Sequence, residues 1–137
     1  MQNLRNIKGL MLLVILGFLS CNLEEDILTD PGNDRDKFIS TWSVSESCFK
    51  ANYSVKISID PSNSAQVLLA NFGNPGQSYN PAVGIVAGNK IYVSTQTIGD
   101  GWTVNGTGTL QDTHSILWSY SLIIAGNNYS CTSEYIR

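Results

Sequence analysis

Trp102-Thr103-Val104-Asn105-Gly106-Thr107-Gly108-Thr109-Leu110, followed by Ile116-Leu117-Trp118-Ser119-Tyr120-Ser121-Leu122-Ile123-Ile124, is the stretch that decides the fold. In each run every second residue is apolar or small, and the residues between are mostly hydroxyl-bearing or amide-bearing. A period of two is the signature of a half-buried strand, because successive side chains point to opposite faces of a sheet. Working outward, Phe38, Trp42 and Val44 alternate with Ile39, Thr41, Ser43 and Ser45. Tyr53, Val55, Ile57 and Ile59 alternate with Ser54, Lys56, Ser58 and Asp60. Four weaker strands fill the gaps, over Ala65–Phe72, Ala82–Ala87, Lys90–Ile98 and Tyr129–Ile136. The separators are turn formers: Asp60-Pro61-Ser62-Asn63, Asn71-Phe72-Gly73-Asn74-Pro75-Gly76, Gly88-Asn89, Gly99-Asp100-Gly101 and Gly126-Asn127-Asn128. Short links between successive strands give an antiparallel meander. No segment carries a helical period. The expected fold is all-β, an eight-stranded antiparallel up-and-down barrel, with an open β-sandwich as the alternative.

Two cysteines, Cys48 and Cys131, fall at the end of the first strand and the start of the last. In an even meander those two strands run antiparallel, and closure into a barrel makes them neighbours. An oxidising compartment then makes a disulfide the expected state. Directly opposed residues of an antiparallel pair keep a constant index sum. Residues 48 and 131 sum to 179, as do 42 and 137. One bridge therefore predicts that Trp42 meets Arg137 at the other end of the same seam.

The N-terminal region is of another kind. Arg5 and Lys8 precede an apolar run from Leu10 to Leu19, and Ser20-Cys21 follows. A basic start, a short apolar stretch and a small residue before the cut describe a secretory signal. The run is too short to span a bilayer, which takes about 20 residues. Phe18-Leu19-Ser20-Cys21 resembles the lipobox of bacterial lipoproteins, which implies cleavage after residue 20 and lipid on Cys21. Asn22 in place of Asp implies outer-membrane sorting under the rule known for some Gram-negative lipoproteins. Glu24-Glu25-Asp26 resembles the surface-export signals of Bacteroidetes lipoproteins. Residues 21–36 carry six acids and one base, a net of −5, whereas residues 37–137 carry five of each. Thr29-Asp30-Pro31-Gly32-Asn33-Asp34 reads as flexible linker. The expected organisation is a signal peptide over 1–20, a lipidated cysteine and acidic tether over 21–36, and a β domain over 37–137. The neutral domain has no electrostatic footprint for nucleic acid; the expected partners are a membrane, through the lipid, and a small apolar ligand or a protein.

Lys37-Phe38-Ile39-Ser40-Thr41-Trp42 resembles the opening strand of lipocalin-like barrels, with Ser40 where that family carries Gly. The resemblance implies that an Arg near the chain end covers Trp42, the same pairing that the index sum gives. Asp34 through Cys48 is also similar to small Bacteroidetes envelope lipoproteins. Chemistry-bearing residues are few. His114, the single histidine, falls in the turn Gln111-Asp112-Thr113-His114, and no nucleophile–base set or metal spacing accompanies it. Gly106-Thr107-Gly108 lies inside a strand, so it serves curvature rather than phosphate. No catalytic residue, metal or cofactor is expected, and the chain reads as a non-enzymatic protein. Glu46 is the one acid on the Trp42–Val44–Cys48 face, where a carboxylate must be paired or kept neutral. Glu46, Trp42, Trp102, Trp118 and Tyr120 are the candidate ligand contacts of a lipocalin-like domain that binds a small apolar molecule. The alternative is an interaction module with a filled barrel that presents loops such as Asn71–Pro81.

Overall fold

The computed structural model describes residues 31–137. The signal segment, Cys21 and most of the tether lie outside the described residues. Element order is α1 (Pro31–Asp36), β1 (Ser40–Glu46), β2 (Asn52–Ile59), β3 (Gln66–Ala70), β4 (Ala82–Ala87), β5 (Lys90–Ile98), β6 (Trp102–Asp112), β7 (Ser115–Ile124) and β8 (Asn127–Ile136). Each strand pairs antiparallel with the next, and β8 pairs with β1, so the sheet is a closed eight-stranded barrel. The open sandwich is excluded. The closing ladder joins Ser43 to Ile136, Val44 to Tyr135, Ser45 to Glu134 and Glu46 to Ser133, a constant sum of 179.

Alternation set by the sequence fills the interior. Trp42, Val55, Ile57, Val67, Leu69, Ile91, Val104, Ile116, Leu122 and Tyr135 are buried on the inner face. Serines and threonines such as Ser43, Ser54, Ser119 and Thr132 face outward. Two departures from plain alternation have local causes. On β5 the register to β6 shifts between Val93 and Gln96, opposite Asn105, and the added residue moves Gln96 onto the inner parity. Its amide then pairs with the backbone N–H and C=O of Val83 at 2.8 and 2.9 Å, beyond the last main-chain pair of β4 with β5. Gly108 answers a different need: the Trp118 indole lies where a Cβ would stand, so any side chain there would collide with it.

The expected Gly126-Asn127-Asn128 connection is displaced. Ala125 and Gly126 form the turn with φ of +50° and +78°, and Asn127 and Asn128 already pair with Ile124 and Ile123. Two successive positive φ values are what a two-residue hairpin needs to match strand twist.

The linker reading also fails at its C-terminal end. Pro31–Asp36 is a one-and-a-half-turn helix, with Pro in the first turn, where its missing N–H costs nothing. Arg35, buried beneath the barrel, donates from Nη1 to the carbonyls of Asp60, Asn63 and Gln66 at 3.3, 3.0 and 3.0 Å. Tertiary acceptors on the β2–β3 connection thus hold a segment whose own sequence has no helical period. Lys37 bridges Asp34 at 3.3 Å and reaches Asn89 at 3.2 Å. This helical end is called the lower end below.

Candidate functional site

The seam places two features at opposite ends of the barrel. At the upper end Cys48 and Cys131 form a disulfide with their Cα atoms 5.2 Å apart. At the lower end the Arg137 guanidinium lies 4.5 Å from the centre of the Trp42 ring. It also donates to the carbonyls of Thr113, Ile39 and Lys37 at 2.7, 3.3 and 3.0 Å. Trp42 is fully buried, its indole N–H donating to the Phe38 carbonyl at 2.9 Å. Phe38, itself buried, helps fill the lower end.

The polar chemistry sits in the upper half of the lumen. Glu46 ends β1 on the inner face and is only 5 % exposed. Its Oε1 accepts the Tyr120 hydroxyl at 2.8 Å. Its Oε2 is buried without a partner, as are the hydroxyls of Tyr53, Ser133 and Tyr135 and the indole N–H of Trp118. Register explains the grouping. Ser133 is opposite Glu46, and Trp118 is opposite Ser133, so these three form one row across β1, β8 and β7. Val44 separates Tyr53 from Tyr135 in the adjoining row. Burial pushes the Tyr53 hydroxyl up to about 12, the nearby Glu46 charge adding to the rise and Tyr120 partly offsetting it. The Tyr53 oxygen lies near that of Tyr120 without forming a hydrogen bond of good geometry. Tyr120 and Tyr135 are likewise raised above the ordinary phenol value, first by burial and then by Tyr53 and Glu46. All three are neutral phenols at physiological pH.

Above this row Phe72 enters from the β3–β4 loop. Its ring centre is 4.9 Å from Trp118 and 5.2 Å from Tyr120, and Trp118 in turn lies 5.5 Å from Tyr135. Phe72 is 1 % exposed. Asn71 holds the loop by donating to the Ser54 carbonyl at 3.0 Å and accepting the Gly76 N–H at 2.8 Å. The expected strand Ala65–Phe72 ends at Ala70 instead, and Phe72, where that strand and the turn cluster from Asn71 overlap, is directed inward by the facing rings.

The five candidate ligand contacts therefore divide. Glu46, Trp118 and Tyr120 come together, with Tyr53, Tyr135 and Phe72 added by the fold. Trp42 lies at the other end under Arg137. Trp102 is half-buried at the upper edge, packed against the core outside these ring contacts. Depressions open along the barrel wall. One lies over β7, β8 and β1, lined by Glu46, Trp118 and Ser133 as well as by Leu117, Thr132 and Glu134. Another lies beside Ile85, Tyr92 and Thr107. His114 is exposed in the β6–β7 turn, with its ring 2.8 Å from the Thr113 hydroxyl.

No protein-family model and no curated protein matches the chain. Among solved structures a redesigned β-barrel is similar, with a TM-score of 0.50 and 12 % identity, over 76 % of this chain and 94 % of that one. A likeness at that identity concerns the fold alone, and it agrees with the closed barrel.

Proposed function

We propose that the protein is a lipid-anchored envelope lipoprotein whose barrel acts as a non-enzymatic interaction module, presenting its upper end away from the membrane. The observation that carries this reading is the burial of large aromatic side chains at both ends of the lumen. Phe72, Trp118, Tyr120 and Tyr135 fill the upper half, and Trp42 and Phe38 the lower. An apolar ligand held in a lipocalin-like cup would need that space, so the filled-barrel reading is the better supported one. Direction comes from the chain path. The tether reaches the barrel at Pro31, on the lower end. Ten residues from Cys21 to Pro31 span at most about 35 Å, which would keep the lower end close to the bilayer. The opposite rim carries Phe49 and Tyr79, 49 % and 38 % exposed, and the Phe49 ring packs 5.1 Å from Tyr129. Exposed aromatics at a loop-bearing rim suit a protein partner.

Two measurements test the reading. Intact mass of the membrane-extracted protein should show a diacylglyceryl group on Cys21, and Cys21→Ala should release the protein from membranes. A photoreactive residue at position 49 should give a discrete adduct in cells that one at position 59, on the lower end, does not. A Cys21→Ala protein that stays membrane-bound, or equal labelling at both positions, would overturn it.

A further inference from the structure

No cation among the described residues faces Glu46, a buried carboxylate. Among the described residues the one ion pair is Lys37–Asp34, and Arg137 and Arg35 are engaged at the lower end. A carboxylate taken from water without a counter-charge is costly, and here one of its two oxygens lacks even a hydrogen bond. The hydroxyls of Tyr53 and Tyr135 are unpartnered as well. The register sets both in the row next to Glu46, on either side of Val44 and on the same inner face. Each of these three oxygens has a lone pair to offer, and a primary ammonium has three N–H donors.

Beside this polar group stands an aromatic slot with an occupant of its own. The Phe72 ring packs tilted to edge-on against Trp118 and Tyr120, and the far end of Tyr120 is the hydroxyl bonded to Glu46. Phe72 is delivered by a loop rather than a strand. Asn71, Gly73 and Asn74 have φ of +68°, +75° and +69°, and the residue that anchors them is Asn71. The ring can therefore leave without breaking a ladder hydrogen bond of the barrel.

We infer that the upper lumen is a closed binding site for a primary arylalkylamine: the aryl group takes the place of the Phe72 ring, and the ammonium meets Glu46, Tyr53 and Tyr135. Phe72 is the intramolecular occupant, so the open form is a minor population and the apparent affinity of the intact protein is reduced by that fraction. Aromatic walls add attraction for the cation that a neutral molecule of the same shape does not receive. This goes beyond the interaction-module reading and does not depend on the lipid anchor or on the rim.

The test uses the full chain in detergent and two probes of nearly the same shape, 2-phenylethylamine and 2-phenylethanol, read by calorimetry and tryptophan fluorescence. Phe72→Ala should bind the amine at least tenfold more tightly than the wild type does. It should also favour the amine over the alcohol at least tenfold. Adding Glu46→Gln should abolish that preference while alcohol binding persists. Equal affinity for amine and alcohol would mean a merely apolar hole and would overturn the inference. So would the absence of amine binding in a variant that keeps the folded near-ultraviolet circular dichroism. Should Phe72→Ala fail to fold, Phe72→Leu and an amine-against-alcohol thermal-shift comparison on the wild type decide the same question.

Discussion

Removing the disulfide through the double substitution Cys48→Ala, Cys131→Ala tests how the barrel is closed. The β1–β8 ladder is short, running from Ser43 to Glu46 on β1, whereas β7 pairs with β8 from Ser115 to Ile124. No hairpin joins β1 to β8, so the bridge is the covalent link at this seam. The cysteines are 83 residues apart. For a loop of that length the chain-entropy model gives about 4.5 kcal/mol, acting through the unfolded state. The native seam has other ties at the same place. Ser47 and Thr132 exchange a backbone hydrogen bond of 3.0 Å and a Thr132 N–H to Ser47 Oγ bond of 2.9 Å, and Phe49 packs on Tyr129. The variant should therefore stay closed while its unfolded chain gains freedom. With a urea m-value of about 1.5–2 kcal/mol/M, a loss of this size lowers the midpoint by about 2–3 M. The assay is urea denaturation followed by tryptophan fluorescence, with near-ultraviolet circular dichroism as the check on native packing. A loss below about 1 kcal/mol would refute the unfolded-state account. Loss of the native circular dichroism before any denaturant is added would show instead that the short ladder cannot close without the bridge.

Alkaline pH provides a second test. Tyr53, Tyr120 and Tyr135 have folded-state pKa values above the ordinary 10, so their stabilisation is complete below pH 10 and is lost as pH rises. Each contributes a fall of about 1.4 kcal/mol per pH unit above 10, continuing to about pH 12 for Tyr53. Urea midpoints from pH 8 to 12 should drop steeply above 10, less so in Tyr53→Phe; a flat profile would contradict the burial of these phenols. Ala125 adopts a left-handed conformation at φ +50°, which disfavours a Cβ, so Ala125→Gly should raise stability by roughly 0.5–1 kcal/mol in the same assay; an unchanged or lower midpoint would count against the turn assignment. Arg137→Ala removes the contact with Trp42 and three carbonyl bonds and should cost about 1–3 kcal/mol. Arg137→Lys should recover only part of that, since an ammonium lacks the planar fork; full recovery would reduce the contact to simple charge.

Period-two alternation and turn chemistry were sufficient, from the sequence alone, for eight strands and for the bounds of β4 and β5, because the side-chain period of a strand is a local property. Parity and one index sum carried the closing register, because antiparallel pairing is arithmetic once two positions are joined. Local rules stop where a partner distant in sequence supplies the energy. Pro31–Asp36 becomes helical because carbonyls on the β2–β3 connection receive Arg35, and nothing within 31–36 announces those acceptors. Phe72 reads as the end of a strand or the start of a turn until Trp118 and Tyr120, more than forty positions away, form the slot that takes it. Gln96 turns inward because a bulge shifts parity in mid-strand. Trp42, Trp102 and Trp118 share an inward pattern, yet the height of each along the barrel axis separates them, and height depends on strand pairing around the whole circumference. Glu46 was legible as an inward acid. That its second oxygen stays unpaired among phenols was decided by tertiary packing alone, because it depends on which side chains three other strands bring to the same level.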